Sequence, residues 1–181
     1  MIIGMCGYKG HGKDSCGEIL ASTRGFVLLS FAAPIKAMLM EGLRLSREQV
    51  YGSQVSKETV DPRYGVTPRH MMQTLGTEWG RQLIAPDIWV KAAIECAKDY
   101  AAEGTSVVLT DVRFPNEAKA IREAGGQIWA VLRPGYAIDT SHESEAHTAD
   151  LIHEAEQLIF NSGGLPDLVE AVAGAYRSST Q

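Results

Sequence analysis

The first eighteen residues, MIIGMCGYKGHGKDSCGE, constrain the fold more than any other stretch of this chain. A short apolar run, Met1–Cys6, feeds a loop containing Gly7, Gly10 and Gly12, and Lys13 follows at once before a segment of helical composition. This is the phosphate-loop pattern G-x-x-x-x-G-K in its strand–loop–helix setting. Glycines let the backbone curl until consecutive N–H groups converge on phosphate oxygens. The helix that follows presents its positive dipole end to the same anion, and Lys13 adds a full charge beside it. With a strand before and a helix after, a glycine-rich turn with an incidental lysine is the poorer reading. The segment predicts binding of a nucleoside triphosphate by Gly7, Tyr8, Lys9, Gly10, His11, Gly12, Lys13, Asp14 and Ser15.

Five stretches read as buried strands: Met1–Cys6, Phe26–Ser30, Ser106–Asp111, Gln127–Arg133 and Gln157–Asn161. Each is apolar without polar alternation, as in a parallel sheet covered on both faces. Helical segments separate them. They are Lys13–Ser22, Ala33–Leu43, Pro68–Leu83 with Thr67 as N-cap, Ile88–Glu103 capped by Asp87, Glu117–Ala124 capped by Asn116, and about Leu165–Tyr176. Alternation of this kind predicts a doubly wound α/β fold, a five-stranded parallel sheet with helices on both faces. Ligands then bind beyond the carboxyl ends of the strands, which sets the loops after Cys6, Ser30, Asp111 and Arg133 along one rim. Residues 33–103 contain helices but no convincing strand and read as an insertion covering the site. Within them Tyr51–Val66, with Gly52, Pro62 and Gly65, reads as mobile loop. A length of 181 residues suits one domain, 1–181, with a small lid.

Composition narrows the class further. The formal charge is −5 and no lysine or arginine run occurs, which argues against a general nucleic-acid binder. Cys6, Cys16 and Cys96 are odd in number and lack C-x-x-C spacing, against a disulfide framework or a zinc site. The chain shows neither a charged leader nor an apolar run of membrane-spanning length, so a soluble cytoplasmic protein is expected.

Several residues on the rim carry chemistry. Asp111 closes the strand SVVLTD, where a carboxylate either holds Mg2+ or its waters, or starts a turn. After Gly12-Lys13 the chain has Asp14 and then Ser15, whereas most phosphate loops place Ser or Thr next to the lysine. Asp14 is thereby a second candidate for the metal, and Ser15 a candidate for a phosphate oxygen. Arg113 and Arg133 follow rim strands, and Arg69 and Arg81 bracket the Pro68 helix. Their planar forks suit phosphate, although a surface arginine is the ordinary reading of each. His142, Glu143, Ser144 and Glu145 form a polar cluster that either begins a helix or orients a substrate. Trp79 and Trp89 either stack on a base or belong to the core.

With these residues in view, the chain resembles the deoxynucleoside monophosphate kinases of tailed bacteriophages, within the P-loop nucleoside monophosphate kinase group. The matching segments run in order over nearly the whole chain. They are GYKGHGKDS (Gly7–Ser15), LSFAAPIK (Leu29–Lys36), RHMMQTLGTEWGR (Arg69–Arg81) with Asp87-Ile88-Trp89, TDVRFPNEA (Thr110–Ala118), LRPG (Leu132–Gly135) and HESE (His142–Glu145). The Lys13-Asp14 pairing also resembles this family's form of the loop. The resemblance implies a P-loop kinase that moves the γ-phosphoryl group of ATP, with Mg2+, to a deoxynucleoside 5′-monophosphate. It implies that Lys13, Arg113 and Arg133 act in transfer and that Asp14 and Asp111 serve the metal. Arg69, Gln73, Thr77, Trp79, Arg113, His142, Ser144 and Glu145 would meet the monophosphate. Asn161 and the Gly163–Leu165 turn would lie beside the adenine. Residues 33–103 would be the helical monophosphate-binding region and 133–150 a lid-like segment, in a possible homodimer working in the host cytoplasm if viral. Rival readings are a phosphomevalonate or dephospho-coenzyme A kinase type, and a nucleotide-dependent switch or ATPase.

Overall fold

The apolar stretches form strands, and the three inner ones bury nearly all of their residues in a sheet. In the computed structural model, which describes residues 1–136 and 147–180, these are β1 (Ile2–Cys6), β2 (Val27–Leu29), β3 (Val107–Leu109), β4 (Gln127–Leu132) and β5 (Gln157–Phe160). All pairings are parallel and the order is β2-β3-β1-β4-β5. The helices, in chain order, are α1 (Lys13–Arg24), α2 (Ala33–Leu43), α3 (Arg47–Tyr51), α4 (Gln54–Glu58), α5 (Pro68–Gln73), a wide π-helical stretch (Thr74–Ile84), α6 (Ile88–Ala102), α7 (Pro115–Glu123), α8 (Thr148–His153) and α9 (Leu165–Ser179). The chain divides into two compact units, Met1–Ser30 together with the chain from Ile94 onward, and Phe31–Ala93.

In the first unit β1 is central and wholly buried. Its period of two sends Ile3 and Met5 to one face, where they join Val108, Trp129, Val131 and Ile159 against Cys16, Ile19 and Leu20 of α1 and Leu168 and Val172 of α9. On the other face Gly4 meets Ile121 of α7 and Ile128, and a Cβ there would come within 2.5 Å of Ile121. Helices on both faces explain the uninterrupted apolar runs of the inner strands. The two edge strands depart from that expectation, since Leu28 of β2 and Leu158 and Phe160 of β5 are exposed. The strand order sends the first crossover past β3 and a later one over β1. The loop after β1 therefore sits where the winding changes direction, the ligand-binding position of such sheets.

The second unit corrects two expectations. The stretch Tyr51–Val66 is not simply a loop. Ser46 and Ser53 accept hydrogen bonds from Gln49 N and Ser56 N and start α3 and α4. Asp61 then pairs with Val66 in an antiparallel bridge. Asp61 is 2% exposed and takes hydrogen bonds from the Arg63 guanidinium and from Gln49 Nε2 at 2.7 Å. The helix expected over Pro68–Leu83 begins as α5 with Thr67 as its cap but widens into π geometry from Thr74. Only Gly76 and Gly80 of that stretch are buried. A Cβ on Gly80 would lie 2.5 Å from the Trp89 ring, and Trp89 Nε1 donates to the Gly76 carbonyl at 2.7 Å. Periodicity alone carries no sign of that side-chain intrusion. In the first unit, α7 starts at Pro115, so Asn116 is not its cap. Glu117 instead reaches back to the Phe114 N–H at 3.0 Å.

Candidate active site

The loop between β1 and α1 adopts the curl that its glycines allow. Gly7 has φ +139°, and a Cβ there would stand 2.4 Å from the Val131 carbonyl oxygen of β4. Gly12 has φ +104° and would press on the Asn161 side chain at 2.6 Å. Gly12 is also the N-cap of α1 and supplies no capping side chain. The first-turn N–H groups thus point out of the helix end as an anion-binding surface. Lys13 curls back over the loop, and its Nζ donates to the carbonyls of Gly7 at 2.6 Å and Tyr8 at 2.9 Å. Asp14 is exposed beside it, in the first turn of α1.

The loops after β4 and β5 close on the same place. Arg133 donates its backbone N–H to His11 Nδ1 at 3.1 Å, and Asn161 Nδ2 donates to the His11 carbonyl at 3.1 Å. Asn161, expected beside an adenine, is therefore also a strut for the phosphate loop. The Arg133 guanidinium lies 5.1 Å from the Tyr136 ring centroid. Together Tyr8, His11, Leu132, Arg133, Tyr136 and Phe160 line a pocket of about 240 Å³ beside the loop.

The end of β3 completes this rim. Val112 N–H donates to Met5 O at 3.2 Å, which draws the strand's continuation alongside β1. Asp111 is half-buried and Arg113 exposed there. Sequence reasoning missed Glu117, which is 4% exposed and accepts from the backbone of Arg113 at 2.7 Å as well as Phe114. It holds the turn that displays Asp111 and Arg113. The sign available in the sequence was a Glu two residues beyond a first-turn Pro. Among the described residues no group of three or more His, Cys, Asp or Glu could cage a metal. Mg2+ asks for less, because it keeps waters and takes one or two carboxylates plus substrate phosphates. Asp14 and Asp111, hard oxygen donors on this rim, fit that demand. Burial pushes the Cys6 and Cys16 thiols up to about 12, so neither is a nucleophile at neutral pH.

In the second unit Arg69 opens α5 and its Nε is ion-paired with Glu58. Gln73 and Thr77 are exposed. The two tryptophans separate: Trp89 is core at 4% exposure, while Trp79 is 38% exposed. Trp79 lines a pocket of about 470 Å³ with Met38, Leu39, His70, Met71 and Leu75. His142, Ser144 and Glu145, and with them most of the expected lid, lie outside the described residues.

Comparison with known proteins gives the family and the fold. The family model for deoxynucleotide monophosphate kinase matches residues 61–172. A provisional deoxynucleotide monophosphate kinase of Acanthamoeba polyphaga mimivirus is 40% identical over 155 residues, covering 80% of each chain. The deoxynucleoside-5′-monophosphate kinase of Escherichia phage T5 is 42% identical over 72 residues, 38% of this chain and 28% of that one. Among solved structures, dephospho-CoA kinase from Campylobacter jejuni superposes with a TM-score of 0.59 at 12% identity, covering 98% of this chain and 96% of the other. Shikimate kinase from Aquifex aeolicus gives 0.56 at 10% identity, covering 99% and 98%. At such identities these two show the fold alone, that of the P-loop kinases. The matched family model and the mimivirus relative show more: the chain belongs to the deoxynucleotide monophosphate kinase family.

Proposed function

We propose that this protein transfers the γ-phosphoryl group of ATP to the phosphate of a deoxynucleoside 5′-monophosphate, yielding the diphosphate and ADP. An acceptor phosphate oxygen attacks Pγ. The bond from Pγ to the β,γ-bridging oxygen breaks, and its electron pair leaves with ADP. The observation that carries this reading is the phosphate loop itself, with Lys13 Nζ held over it by the Gly7 and Tyr8 carbonyls, in a chain of this family.

The chemistry asks little covalent work of the protein, because positioning and charge stabilisation supply most of the rate. The loop amides and the α1 terminus hold the ATP phosphates, and Lys13 exchanges its two carbonyl partners for phosphate oxygens. Arg113 and Arg133, both exposed on the rim, offset the repulsion between two anionic substrates as they meet. Asp14 and Asp111 would hold Mg2+ or its waters, a group that would supply charge neutralisation of the phosphates when bound. Asn161 and the turn after β5 border the adenine. In the second unit Arg69 leaves Glu58 for the acceptor phosphate, while Gln73, Thr77 and Trp79 meet the nucleoside. His142, Ser144 and Glu145, in the expected lid-like segment 133–150, would serve the acceptor. A lid that excludes water also limits wasteful hydrolysis of ATP. The substrates are small nucleotides rather than nucleic acid. No described helix is long and apolar enough to cross a membrane, and the reading adds a working place in the cytoplasm, that of the host if viral, and a homodimer.

Coupled measurement of ADP release with a panel of deoxynucleoside monophosphates tests the proposal. ADP release that requires a monophosphate supports it. Hydrolysis independent of acceptor, or no turnover with any monophosphate, overturns it.

A further inference from the structure

We propose that the His11 imidazole is a positioning residue of the transfer site, holding the backbone of Arg133 to the phosphate loop through Nδ1. The inference rests on the kinase reading above and adds a role for a side chain within it. Loops of this kind act through their backbone amides, which ask nothing of the side chain at this position. Here that side chain is a large imidazole, 3% exposed, although its neighbours Lys9 and Gly10 are exposed.

Three strand ends meet on this one residue. His11 belongs to the loop after β1. Its Nδ1 accepts from Arg133 N–H, just past β4, at 3.1 Å, and its carbonyl accepts from Asn161 Nδ2, just past β5, at 3.1 Å. Its ring stands edge-on to Tyr8 and Tyr136, with centroids 5.3 and 5.9 Å away. Tyr136 in turn crowds the open side of Gly10, where a Cβ would lie 2.7 Å from its ring, and carries the Arg133 guanidinium at 5.1 Å. A displacement of His11 would therefore move Arg133 at both its backbone and its side chain. The direction of the Nδ1 bond also fixes the tautomer: the neutral ring carries its proton on Nε2.

An acceptor at the Nδ1 position is what the role needs, so two substitutions separate it from mere space filling. Asparagine puts its Oδ1 close to the place of Nδ1, whereas glutamine reaches towards that of Nε2. His11→Ala and His11→Gln should lower kcat about five- to ten-fold, the loss expected for one buried hydrogen bond. The KM for the monophosphate should stay within about two-fold, and His11→Asn should recover most of the rate. In a double-mutant cycle with Arg133→Ala the losses should fall well short of additive, because His11 acts through Arg133. Equal losses in the asparagine and glutamine variants, or additive losses in the cycle, would overturn the proposal. Should the variants fold poorly, nitrogen-15 spectra of the unsubstituted protein decide: a proton on Nδ1 of His11 overturns it and a proton on Nε2 supports it. If the unsubstituted protein transfers phosphate to no monophosphate, the kinase reading fails, and the spectra still report on the hydrogen bond.

Discussion

Replacing Gly7 by alanine tests whether the phosphate loop is built against the central sheet. Two costs arise in the folded protein. The first is backbone strain: a residue with a side chain at φ +139° costs about 1–3 kcal/mol. The second is steric, because the new methyl would lie 2.4 Å from the Val131 carbonyl oxygen. Relief requires either β4 or the loop to shift, which costs a further amount of about 1–3 kcal/mol by analogy with overpacked cores. Together the loss is about 2–6 kcal/mol, a large share of the roughly 5–15 kcal/mol that holds an ordinary domain folded. Gly25→Ala is the control. It has φ +72° with nothing within 4 Å of an added Cβ, so it suffers only the backbone cost, about 1–2 kcal/mol. Equilibrium urea unfolding reads both. With a slope of about 2 kcal/mol per molar, Gly7→Ala should lower the midpoint by about 1–3 M and Gly25→Ala by less than about 1 M. Equal midpoints for the two variants, at unchanged slope, would refute the close approach to Val131.

Other consequences are equally direct. Lys13→Ala should cut turnover by about 10²–10³-fold while leaving the circular dichroism spectrum and unfolding midpoint nearly unchanged, and full activity in the purified variant would contradict its role. Arg133→Ala should lower kcat more than it raises the ATP dissociation constant; a defect confined to ATP affinity would count against a part in transfer. The Arg63 guanidinium, helped by Gln49 and opposed by burial, holds the Asp61 carboxyl well below its usual range. The stability this contributes is present above the unfolded carboxylate pKa of about 3.9 and is lost as pH falls below it. The gap between the protein and Asp61→Asn in thermal melts should therefore be widest near neutrality and narrow below about pH 4. A gap constant down to about pH 3 would show that Asp61 does not act through its charge. Gly80→Ala, which drives a methyl into the Trp89 ring, should destabilise by about 1–3 kcal/mol and raise the KM for the monophosphate; an unaltered melt would dismiss the close packing of the π stretch.

The features legible in the sequence are those that obey one local rule. The three inner strands announce themselves because a covered parallel sheet needs unbroken apolar runs, while the two edge strands were legible from apolar content alone although Leu28, Leu158 and Phe160 are exposed. Ala33–Leu43 was bounded to the residue, since Pro34 sits where a helix first turn tolerates it. What escaped depends on partners distant in the chain. The π stretch is tied to Trp89, which donates to Gly76 thirteen residues earlier, and helical periodicity gives no hint of that contact. Asp61 looks like a loop aspartate until Arg63 and Gln49 are seen around it. In the candidate site, the loop glycines and Lys13 were readable from spacing. The imidazole of His11 was not, because its meaning lies in Arg133, 122 positions away. Glu117 lay between these cases, a buried carboxylate whose pattern after Pro115 was visible but whose hold on Arg113 was not.

The most direct test follows the phosphorus atom. ATP labelled at the γ position is incubated with the protein and one deoxynucleoside monophosphate at a time, and the products are separated. The label is expected on the β phosphate of the new deoxynucleoside diphosphate, in a one-to-one ratio with ADP, with loss of that transfer in Lys13→Ala. Label recovered only as inorganic phosphate, at a rate indifferent to the monophosphate, would contradict it.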